Sequence, residues 1–379
     1  MYQLICVVGA RPNFMKIAPI VEAIKNETKS ICVKLVHTGQ HYDANMKHQF
    51  FVQLGIPEPD IDLGVGSGSH AVQTAEVMQR FEPVLDEHQA DAVLVVGDVN
   101  STIACALVAS KKHIPVIHVE AGLRSYDRAM PEEINRVLTD QIADLLYTTE
   151  RNAQANLMRE GVAPERIRFV GNVMIDTLKK HVRQATPAAD TLANIAGGAA
   201  IVSAGQKFAL LTMHRPSNVD DEQTLRGLIE TVVQASERLP IVFPVHPRTQ
   251  ARMEQFGLQK LISEANIVTT GPLGYMELLG LMSKATLVLT DSGGIQEETT
   301  ALGVPCITLR ENTERPITVE QGTNTIVGAN SALILQTLDE VLAKGGKQGR
   351  QPELWDGQAA VRIAKDLEQW FEKVYMPSP

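Results

Sequence analysis

The chain contains no hydrophobic run long enough to cross a membrane and no excess of basic residues. Its apolar stretches all fall short of the ~18 residues that a transmembrane helix needs. It has 35 lysines and arginines against 44 aspartates and glutamates, which gives a net charge of −9. A negative chain repels a phosphate backbone, which disfavours a general nucleic-acid binder. We therefore expect neither a membrane nor a nucleic acid as a partner.

Cysteine is scarce, and the cysteines present form no recognisable pair. The four cysteines are widely spaced, include no CxxC motif and lie mostly in apolar runs. This pattern is typical of reduced core residues in a cytoplasmic protein. Residues 1–8 have neither the basic region nor the cleavage site of a signal peptide, so we predict that they form the first strand.

Several signatures of well-known enzyme classes are also missing. The sequence contains no P-loop, no GxGxxG turn, no serine nucleophile elbow and no zinc-binding spacing. His37 and His41 stand close together, but no third ligand has a suitable spacing, so we favour a polar contact loop over a metal site. We expect no metal and no redox cofactor.

What the sequence does contain is a regular alternation of short apolar runs and helical patterns. The predicted strands are residues 4–8, 32–37, 92–96, 116–119, 145–148, 168–170, 208–213, 241–245, 267–269, 287–290 and 305–309. Such alternation produces parallel sheets with right-handed crossovers, which bind ligands at the carboxyl ends of their strands. Because 379 residues exceed one ordinary core, we predict two doubly wound α/β domains, residues 1–172 with a returning helix at 358–379, and residues 173–357. Residues 185–206 are expected to form an exposed linker or a loop with a short helix.

Residues 287–298 form the most informative segment, in which an apolar strand leads through a polar, glycine-rich turn into a helix. Free backbone N–H groups and the helix dipole at such a start favour an anion. Gly293 and Gly294 would let a phosphate approach the backbone, and the carboxylate of Glu298 could accept bonds from a sugar diol. The alternative is an ordinary strand–helix turn capped by Ser292.

Carboxylates collect at strand ends and helix starts in the first half of the chain. Asp98 and Glu120 follow apolar runs, and Glu132 and Glu133 come directly after Pro131 at a predicted helix start. Asp98 could be a helix cap, and Glu132 and Glu133 suit the helix dipole. Glu120 has no structural explanation of that kind. Because parallel strands deliver these groups to one sheet edge, we favour a catalytic cluster.

Basic residues and histidines stand where an anionic ligand is expected. Arg11 and Lys16 flank a predicted helix start at Pro12, where cations oppose the helix dipole; a bound phosphate would explain them, and solvated surface charges are the alternative. His214 and His246 each follow a predicted strand and adjoin or closely precede an arginine. Carboxylates facing a sugar and donors facing a diphosphate suit cleavage of a glycosyl–phosphate bond.

Together, these motifs resemble those of the non-hydrolysing UDP-N-acetylglucosamine (UDP-GlcNAc) 2-epimerases. In chain order they are Gly9-Ala10-Arg11-Pro12, Gly97-Asp98, His118-Val119-Glu120-Ala121-Gly122-Leu123-Arg124, Pro131-Glu132-Glu133-Ile134-Asn135-Arg136, His214-Arg215, residues 291–298 and Glu314-Arg315-Pro316. The resemblance implies a GT-B-like architecture with two Rossmann-like domains and the nucleotide sugar in a central cleft. It also implies a homodimer that interconverts UDP-GlcNAc and UDP-N-acetylmannosamine (UDP-ManNAc) by elimination and re-addition of UDP through 2-acetamidoglucal.

The resemblance further implies roles for individual residues. The catalytic residues would be Asp98, Glu120, Glu132 and His214. The substrate-binding residues would be Arg11, Lys16, Gln40, His41, Arg136, His246, Ser292, Gly293, Gly294, Glu298 and Arg315. Among these, Arg11, Ser292 and the two glycines would hold the diphosphate, and Glu298 would bind the ribose hydroxyls.

The chain also departs from the family pattern. Asn13 stands where the family often has Glu, and Leu278 or the neighbouring Tyr275 stands where many members place an aromatic residue near the uracil. Parts of the sequence resemble relatives that act on UDP-2,3-diacetamido uronic acids, so such a sugar is an alternative substrate. A GT-B glycosyltransferase that uses a UDP-sugar would share the fold and the UDP site, and it is the second alternative.

Overall fold

The structure, a computed structural model, describes residues 1–39, 55 and 58–375. Within these ranges the chain divides into two compact units, Met1–Lys180 with Glu353–Pro379, and His181–Pro352. The first unit thus extends beyond the predicted boundary at residue 172 and ends at Lys180. The returning segment begins at Glu353, which is earlier than the predicted residue 358.

Two buried hydrogen bonds account for these boundaries. The hydroxyl of Thr177 donates to the carbonyl oxygen of Met15 at 2.6 Å, which ties the segment after residue 172 to the first unit. The indole of the fully buried Trp355 donates to the carbonyl oxygen of Thr149 at 3.1 Å, which ties the returning chain to the same unit. Both are long-range contacts that a sequence pattern does not reveal.

The first unit is built on a parallel sheet. Its strands are β1 (Tyr2–Val8), β2 (Ile31–His37), β3 (Ile61–Asp62), β4 (Ala92–Val96), β5 (Val116–Ala121), β6 (Leu145–Thr148) and β7 (Ile167–Phe169). Its helices begin with α1 (Arg11–Glu27), α2 (His70–His88), α3 (Asn100–Lys111), α4 (Pro131–Ile142), α5 (Arg151–Arg159) and α6 (Val173–His181). In the described part of the chain the strand order is β3-β2-β1-β4-β5-β6-β7. The order reverses between β1 and β4, and such switch points are where these sheets bind ligands.

Buried apolar runs explain why the central strands form where the sequence predicts them. All five residues of β4 are buried, as expected of a parallel strand covered by helices on both faces. The two-residue strand β3 was not predicted, because Ile61 and Asp62 are too short a run to show a period. They nevertheless pair with Val36 and His37 of β2.

The second unit repeats this plan. Its strands are β8 (Ala209–Thr212), β9 (Ile241–Pro244), β10 (Ile267–Thr270), β11 (Leu287–Thr290), β12 (Cys306–Thr308) and β13 (Asn324–Ile326). Its helices are α7 (Ala188–Ala193), α8 (Gly198–Ser203), α9 (Pro216–Val219), α10 (Glu222–Ser236), α11 (Pro247–Gln255), α12 (Gln259–Ser263), α13 (Tyr275–Lys284), α14 (Gly293–Leu302), α15 (Pro316–Glu320) and α16 (Ser331–Lys344). Over the described residues the sheet order is β10-β9-β8-β11-β12-β13, so its switch point lies between β8 and β11.

Residues 185–206 are not an exposed linker. They contribute α7 and α8 to the second unit. The N–H of Thr186 donates to the carbonyl oxygen of Met276 in α13 at 3.2 Å. A Cβ on Gly280 would lie 1.8 Å from the Thr186 carbonyl oxygen, so glycine is what allows this close approach. The alternative of a loop with a short helix is nearer to the structure.

The C-terminal helix α17 (Ala359–Tyr375) completes the first unit. Its apolar stripe, with Ile363, Leu367 and Phe371, is fully buried, and α17 packs against α1. The ring of Phe371 stacks on that of Tyr2 in β1, with 4.8 Å between the ring centroids. A helix at the far end of the sequence therefore covers the first strand.

Each unit has the strand order of a Rossmann-like domain when its strands are numbered from its own first strand. The prediction of two doubly wound parallel-sheet domains is confirmed. Across the described ranges, none of the helices combines the length and hydropathy needed to cross a membrane. The four cysteines are free thiols, three of them buried.

Candidate active site

Glu120 and Lys16 form a buried ion pair in the first unit. Glu120 lies at the end of β5, where the pairing with β6 shifts register, and its backbone has a φ of 71°. This left-handed conformation costs a non-glycine residue about 1–2 kcal/mol, so its surroundings must hold it there. Lys16 Nζ lies 2.6 Å from Glu120 Oε2, and both side chains are almost inaccessible to solvent. The pair thus holds the Glu120 carboxylate at a fixed position next to the switch point.

Asp98 is held by a second ion pair in the same unit. The guanidinium of Arg136 contacts the Asp98 carboxylate with one nitrogen and Glu133 Oε2 with another, the latter at 2.6 Å. Glu133 also accepts the backbone N–H and the hydroxyl of Ser125, both at 3.0 Å, so it is committed to the structure. Glu132 is only partly buried in the first turn of α4. The two neighbouring glutamates therefore have different surroundings. The structure is compatible with a catalytic role for Glu132 rather than for Glu133.

A buried network that the sequence did not reveal joins the two loops that carry these carboxylates. His118 Nδ1 donates to Asp140 Oδ1 at 2.7 Å, and His118 Nε2 donates to the Gly97 carbonyl oxygen at 2.8 Å. Both ring nitrogens of His118 thus face acceptors, which fixes the orientation of the ring. Asp140 also accepts the N–H of Gly122 and pairs with Arg124 at 2.7 Å. The loop after β4 is thereby linked to the turn after β5.

Asn13 connects the two strands of the first switch point. Its side-chain amide donates to the Val96 carbonyl oxygen at 2.9 Å, and its side-chain oxygen accepts the Ala10 N–H at 3.0 Å. Gly97 has a φ of 68°, and a Cβ there would lie 3.1 Å from Lys16 Nζ. Asparagine can make both bonds, whereas the glutamate common in the family pattern could only accept.

In the second unit, a pocket of about 160 Å³ opens at the carboxyl ends of the strands. Its lining consists of Thr212, Met213, His214, Pro244, Val245, His246, Pro272, Leu273, Leu278, Ser292 and Ile295. His214 follows β8 and Ser292 follows β11, so the pocket lies at the switch point of this sheet. His246 joins them from the end of β9. His214, predicted to be catalytic, therefore lies beside His246 and Ser292, predicted to bind substrate. Leu278 faces the same pocket.

The start of α14 presents backbone donors to this pocket. Ser292 occupies the N-cap position, as the alternative of an ordinary capped turn expects, but among the described residues its hydroxyl makes no capping bond. A Cβ on Gly293 would lie 2.6 Å from both Arg315 Nη1 and Glu314 Oε1. Arg315 is buried, with its Nε 3.0 Å from Glu297 Oε1. The donors of the first turn thus remain for an anion beside a buried guanidinium.

His214 is oriented by a buried carboxylate. Its Nδ1 lies 3.2 Å from Asp291 Oδ1, and Asp291 Oδ2 accepts the backbone N–H groups of His214 and Arg215 at 2.9 and 2.8 Å. Burial acts to raise the pKa of Asp291, but these bonds outweigh it and the pKa is lowered. The centroids of the His246 and His214 rings are 5.3 Å apart. The pKa of His246 is lowered, mainly by burial and secondly by the charge of His214. Because Asp291 takes Nδ1, Nε2 is the His214 atom that can meet a ligand.

Glu298 lies one turn into α14 and is buried. It accepts the hydroxyl of Tyr275 on Oε1 at 2.9 Å. Burial raises the pKa of Glu298 to about 7, the Tyr275 bond opposes this, and the neighbouring charge of Glu297 adds to it. Of the two residues that the sequence offered as neighbours of the base, Leu278 lines the pocket and Tyr275 reaches Glu298.

The remaining predicted site residues do not line this pocket or lie outside the described residues. Gln40 and His41 lie outside them, and Arg11 is the first residue of α1. Arg136 and Arg315 are engaged by carboxylates, and their direct contact with a substrate stays a prediction. Within the described ranges, no cluster of three or more histidine, cysteine, aspartate or glutamate residues could hold a metal ion.

Comparison with known proteins decides the family. A family model described as UDP-N-acetylglucosamine 2-epimerase matches residues 22–368. The chain belongs to the UDP-N-acetylglucosamine 2-epimerase family. It is therefore an isomerase-type enzyme, as the sequence predicted.

Individual members of this epimerase family match almost the whole chain. The UDP-N-acetylglucosamine 2-epimerase of Methanocaldococcus jannaschii is 42% identical over 368 residues, which is 96% of this chain and 98% of the relative. The UDP-2,3-diacetamido-2,3-dideoxy-D-glucuronate 2-epimerase of Pseudomonas aeruginosa is 39% identical, over 96% of this chain and 99% of the relative. The crystal structure of the M. jannaschii UDP-GlcNAc 2-epimerase in complex with UDP-GlcNAc and UDP has a TM-score of 0.86 at 40% identity, and the match covers 97% of this chain and 99% of that one. The predicted GT-B-like fold class is confirmed.

Proposed function

We propose that the protein interconverts UDP-GlcNAc and UDP-ManNAc reversibly and without hydrolysis. The observation that carries the proposal is the pair of pre-positioned carboxylates, Asp98 and Glu120, in a chain that belongs to a 2-epimerase family. We assign the sugar chemistry to the first unit and the binding of UDP to the second.

The proposed reaction begins with elimination. A carboxylate removes the hydrogen of C2 as a proton, the C1–C2 double bond forms, and the bond from C1 to the phosphate oxygen breaks with its electron pair leaving on UDP. This gives 2-acetamidoglucal. UDP then attacks C1 again, while C2 receives a proton on the opposite face. Two faces require two acid–base groups, which Asp98, Glu120 and Glu132 supply.

The leaving diphosphate must stay bound between the two steps. The backbone N–H groups at the start of α14, with Ser292, Gly293 and Gly294, are suited to hold it, because a helix N-terminus stabilises negative charge. His214, oriented by Asp291, can donate from Nε2 to a phosphate oxygen as charge develops there. Glu298 is assigned to the ribose hydroxyls.

The direct test is to incubate the protein with UDP-GlcNAc alone in deuterated water. We expect UDP-ManNAc to appear, with one deuterium at C2 of both sugars at equilibrium. Free N-acetylmannosamine with released UDP would indicate a hydrolysing enzyme. No change until an acceptor is added would favour the glycosyltransferase alternative.

A second candidate substrate is a UDP-2,3-diacetamido uronic acid. The 39% identity to the P. aeruginosa enzyme named for that sugar supports it. The same mechanism applies, since the reacting atoms C1 and C2 are unchanged. Measuring kcat/KM for both nucleotide sugars decides between them.

We also propose that the enzyme is a homodimer. Ile134 and Leu138 lie one turn apart on α4 and keep 44% and 50% of their surface exposed. These two side chains form a small apolar patch of the kind that a subunit interface would cover. Light scattering after size-exclusion chromatography should give twice the chain mass, and Leu138→Asp should give a monomer. Val202→Asp, at an exposed apolar position of the second unit, is the control and should leave the mass unchanged.

A further inference from the structure

Tyr275 and Glu298 form a contact whose purpose the assignments above leave open. Tyr275 is the first residue of α13, and Glu298 lies in α14. The tyrosine hydroxyl donates to Glu298 Oε1 at 2.9 Å, and the two residues are only 7% and 4% exposed. The contact therefore joins two helices of the second unit that both begin beside its pocket.

The hydroxyl is not explained by packing. A buried hydroxyl costs free energy unless it is hydrogen-bonded, so phenylalanine would suit this site better if the ring alone mattered. The bond uses part of the acceptor capacity of Glu298, since a carboxylate has two oxygens and about four lone-pair sites. It fixes the carboxylate plane while leaving acceptor sites for other donors.

Burial disfavours the charged form of Glu298 and raises its pKa to about 7, while the Tyr275 hydrogen bond acts in the opposite direction. A carboxylate that accepts hydroxyl groups is most effective when ionised, because hydrogen bonds to charged acceptors are stronger. The tyrosine thus supports both the position and the charge of Glu298.

We propose that Tyr275 is a positioning residue for nucleoside recognition, which orients the Glu298 carboxylate toward the ribose hydroxyls and so sets the preference for a ribonucleotide over a deoxyribonucleotide. This inference rests on the proposed function, which assigns Glu298 to the ribose. Tyr275 acts through Glu298, whereas the wall of the pocket is formed by residues such as Leu278 and Ile295.

The test compares three ligands, UDP, 2′-deoxy-UDP and 3′-deoxy-UDP, by titration calorimetry. In the wild-type protein we expect at least one deoxy ligand to bind ~10-fold or more weakly than UDP, the size typical of a lost hydrogen bond to a charged group. In Tyr275→Phe this ratio should fall below ~3-fold, mainly through weaker binding of UDP itself. Tyr147→Phe is the matched control, because the buried Tyr147 likewise donates to a carboxylate, Asp366, at 2.8 Å in the first unit. It should retain the wild-type ratio.

The possible outcomes separate this inference from the function on which it rests. If the wild-type ratio is near one, the ribose role of Glu298 fails and the inference fails with it. If Glu298→Gln abolishes the ratio but Tyr275→Phe preserves it, or weakens all three ligands equally, Tyr275 is only a packing residue. Should Tyr275→Phe not fold, a crystal structure of the wild-type protein with UDP decides. A Tyr275 hydroxyl still bonded to a Glu298 that accepts the ribose supports the inference, and a hydroxyl released from Glu298 overturns it.

Discussion

The two units share a Rossmann-like strand order, but different kinds of polar group lie at their switch points. In the first unit the carboxylates next to the switch point are already matched with cations, Glu120 with Lys16 and Asp98 with Arg136. In the second unit the corresponding point has a pocket and a helix start whose N-cap serine makes no side-chain capping bond within the described part of the chain. The first arrangement fixes charged groups before any ligand arrives, and the second keeps donors for one. Similar scaffolds can thus carry different polar groups at equivalent positions, and our proposal assigns the chemistry to the first unit and the binding to the second.

The strongest way to test this contrast is to neutralise the carboxylates of the first unit. We expect Asp98→Asn and Glu120→Gln each to lower kcat for epimerisation by about 10³-fold or more, because acid–base groups contribute on that scale. The dissociation constant of UDP should change by less than about 3-fold, since UDP binding is assigned to the other unit. Near-normal turnover in both variants would contradict the division of labour.

The next largest effect concerns the stability of the first unit. Lys16→Met removes the partner of a buried carboxylate, and breaking such a pair costs about 3–5 kcal/mol in the free energy of unfolding. Urea unfolding followed by circular dichroism measures this. Lys180→Met is the control, since Lys180 pairs with Glu22 at the surface of the same unit and should cost less than about 1 kcal/mol. An equal decrease in the free energy of unfolding in both variants would mean that the buried Lys16 pair stabilises the unit no more than the surface pair does.

For the second unit, the sharpest change is Gly293→Ala. The new Cβ would lie 2.6 Å from Arg315 Nη1, so the guanidinium and the helix start would have to move apart. We expect UDP affinity to fall by about 10-fold, roughly the value of one strong hydrogen bond. Gly227→Ala in α10 meets nothing within 4 Å and should leave UDP affinity unchanged. Calorimetry on both proteins would show whether the helix start is the anion site.

The smallest expected effect is a pH dependence of ribose recognition. The pKa of Glu298 is raised to about 7, so the carboxylate is largely neutral below that pH and ionised above it. The ratio of UDP to 2′-deoxy-UDP affinity should therefore rise between about pH 6 and pH 8. Taking the ratio cancels the titration of the phosphates and of other groups that both ligands meet. A flat ratio in the wild-type protein, or an unchanged rise in Glu298→Gln, would show that another group is responsible.

The contrast between predicted and missed elements has a simple physical basis. The strands β4 and β11 occupy the predicted residues because each is a buried apolar run that ends in a polar turn. The strand β13, which begins with the polar Asn324, has no such run and was missed. Its pairing comes from its place beside β12 rather than from its own composition.

The site shows the same division. Glu120 could be picked out from the sequence because a glutamate directly after an apolar run has no evident structural role. The sequence did not reveal that Lys16 is the partner of Glu120, since the two are far apart in the chain and meet only through the sheet. His118 and Asp140 were missed for the opposite reason, because each looks like an ordinary residue of a strand or helix until the fold brings them together.

The path of the chain has a consequence for how the protein is made. The second unit is one continuous stretch, His181–Pro352, whereas the first unit needs Trp355 and α17 from the final part of the sequence. During synthesis on the ribosome, the second unit can fold before α17, which the first unit needs, has been made. Removal of α17 should therefore destabilise the first unit, although most of that unit is encoded at the start of the sequence.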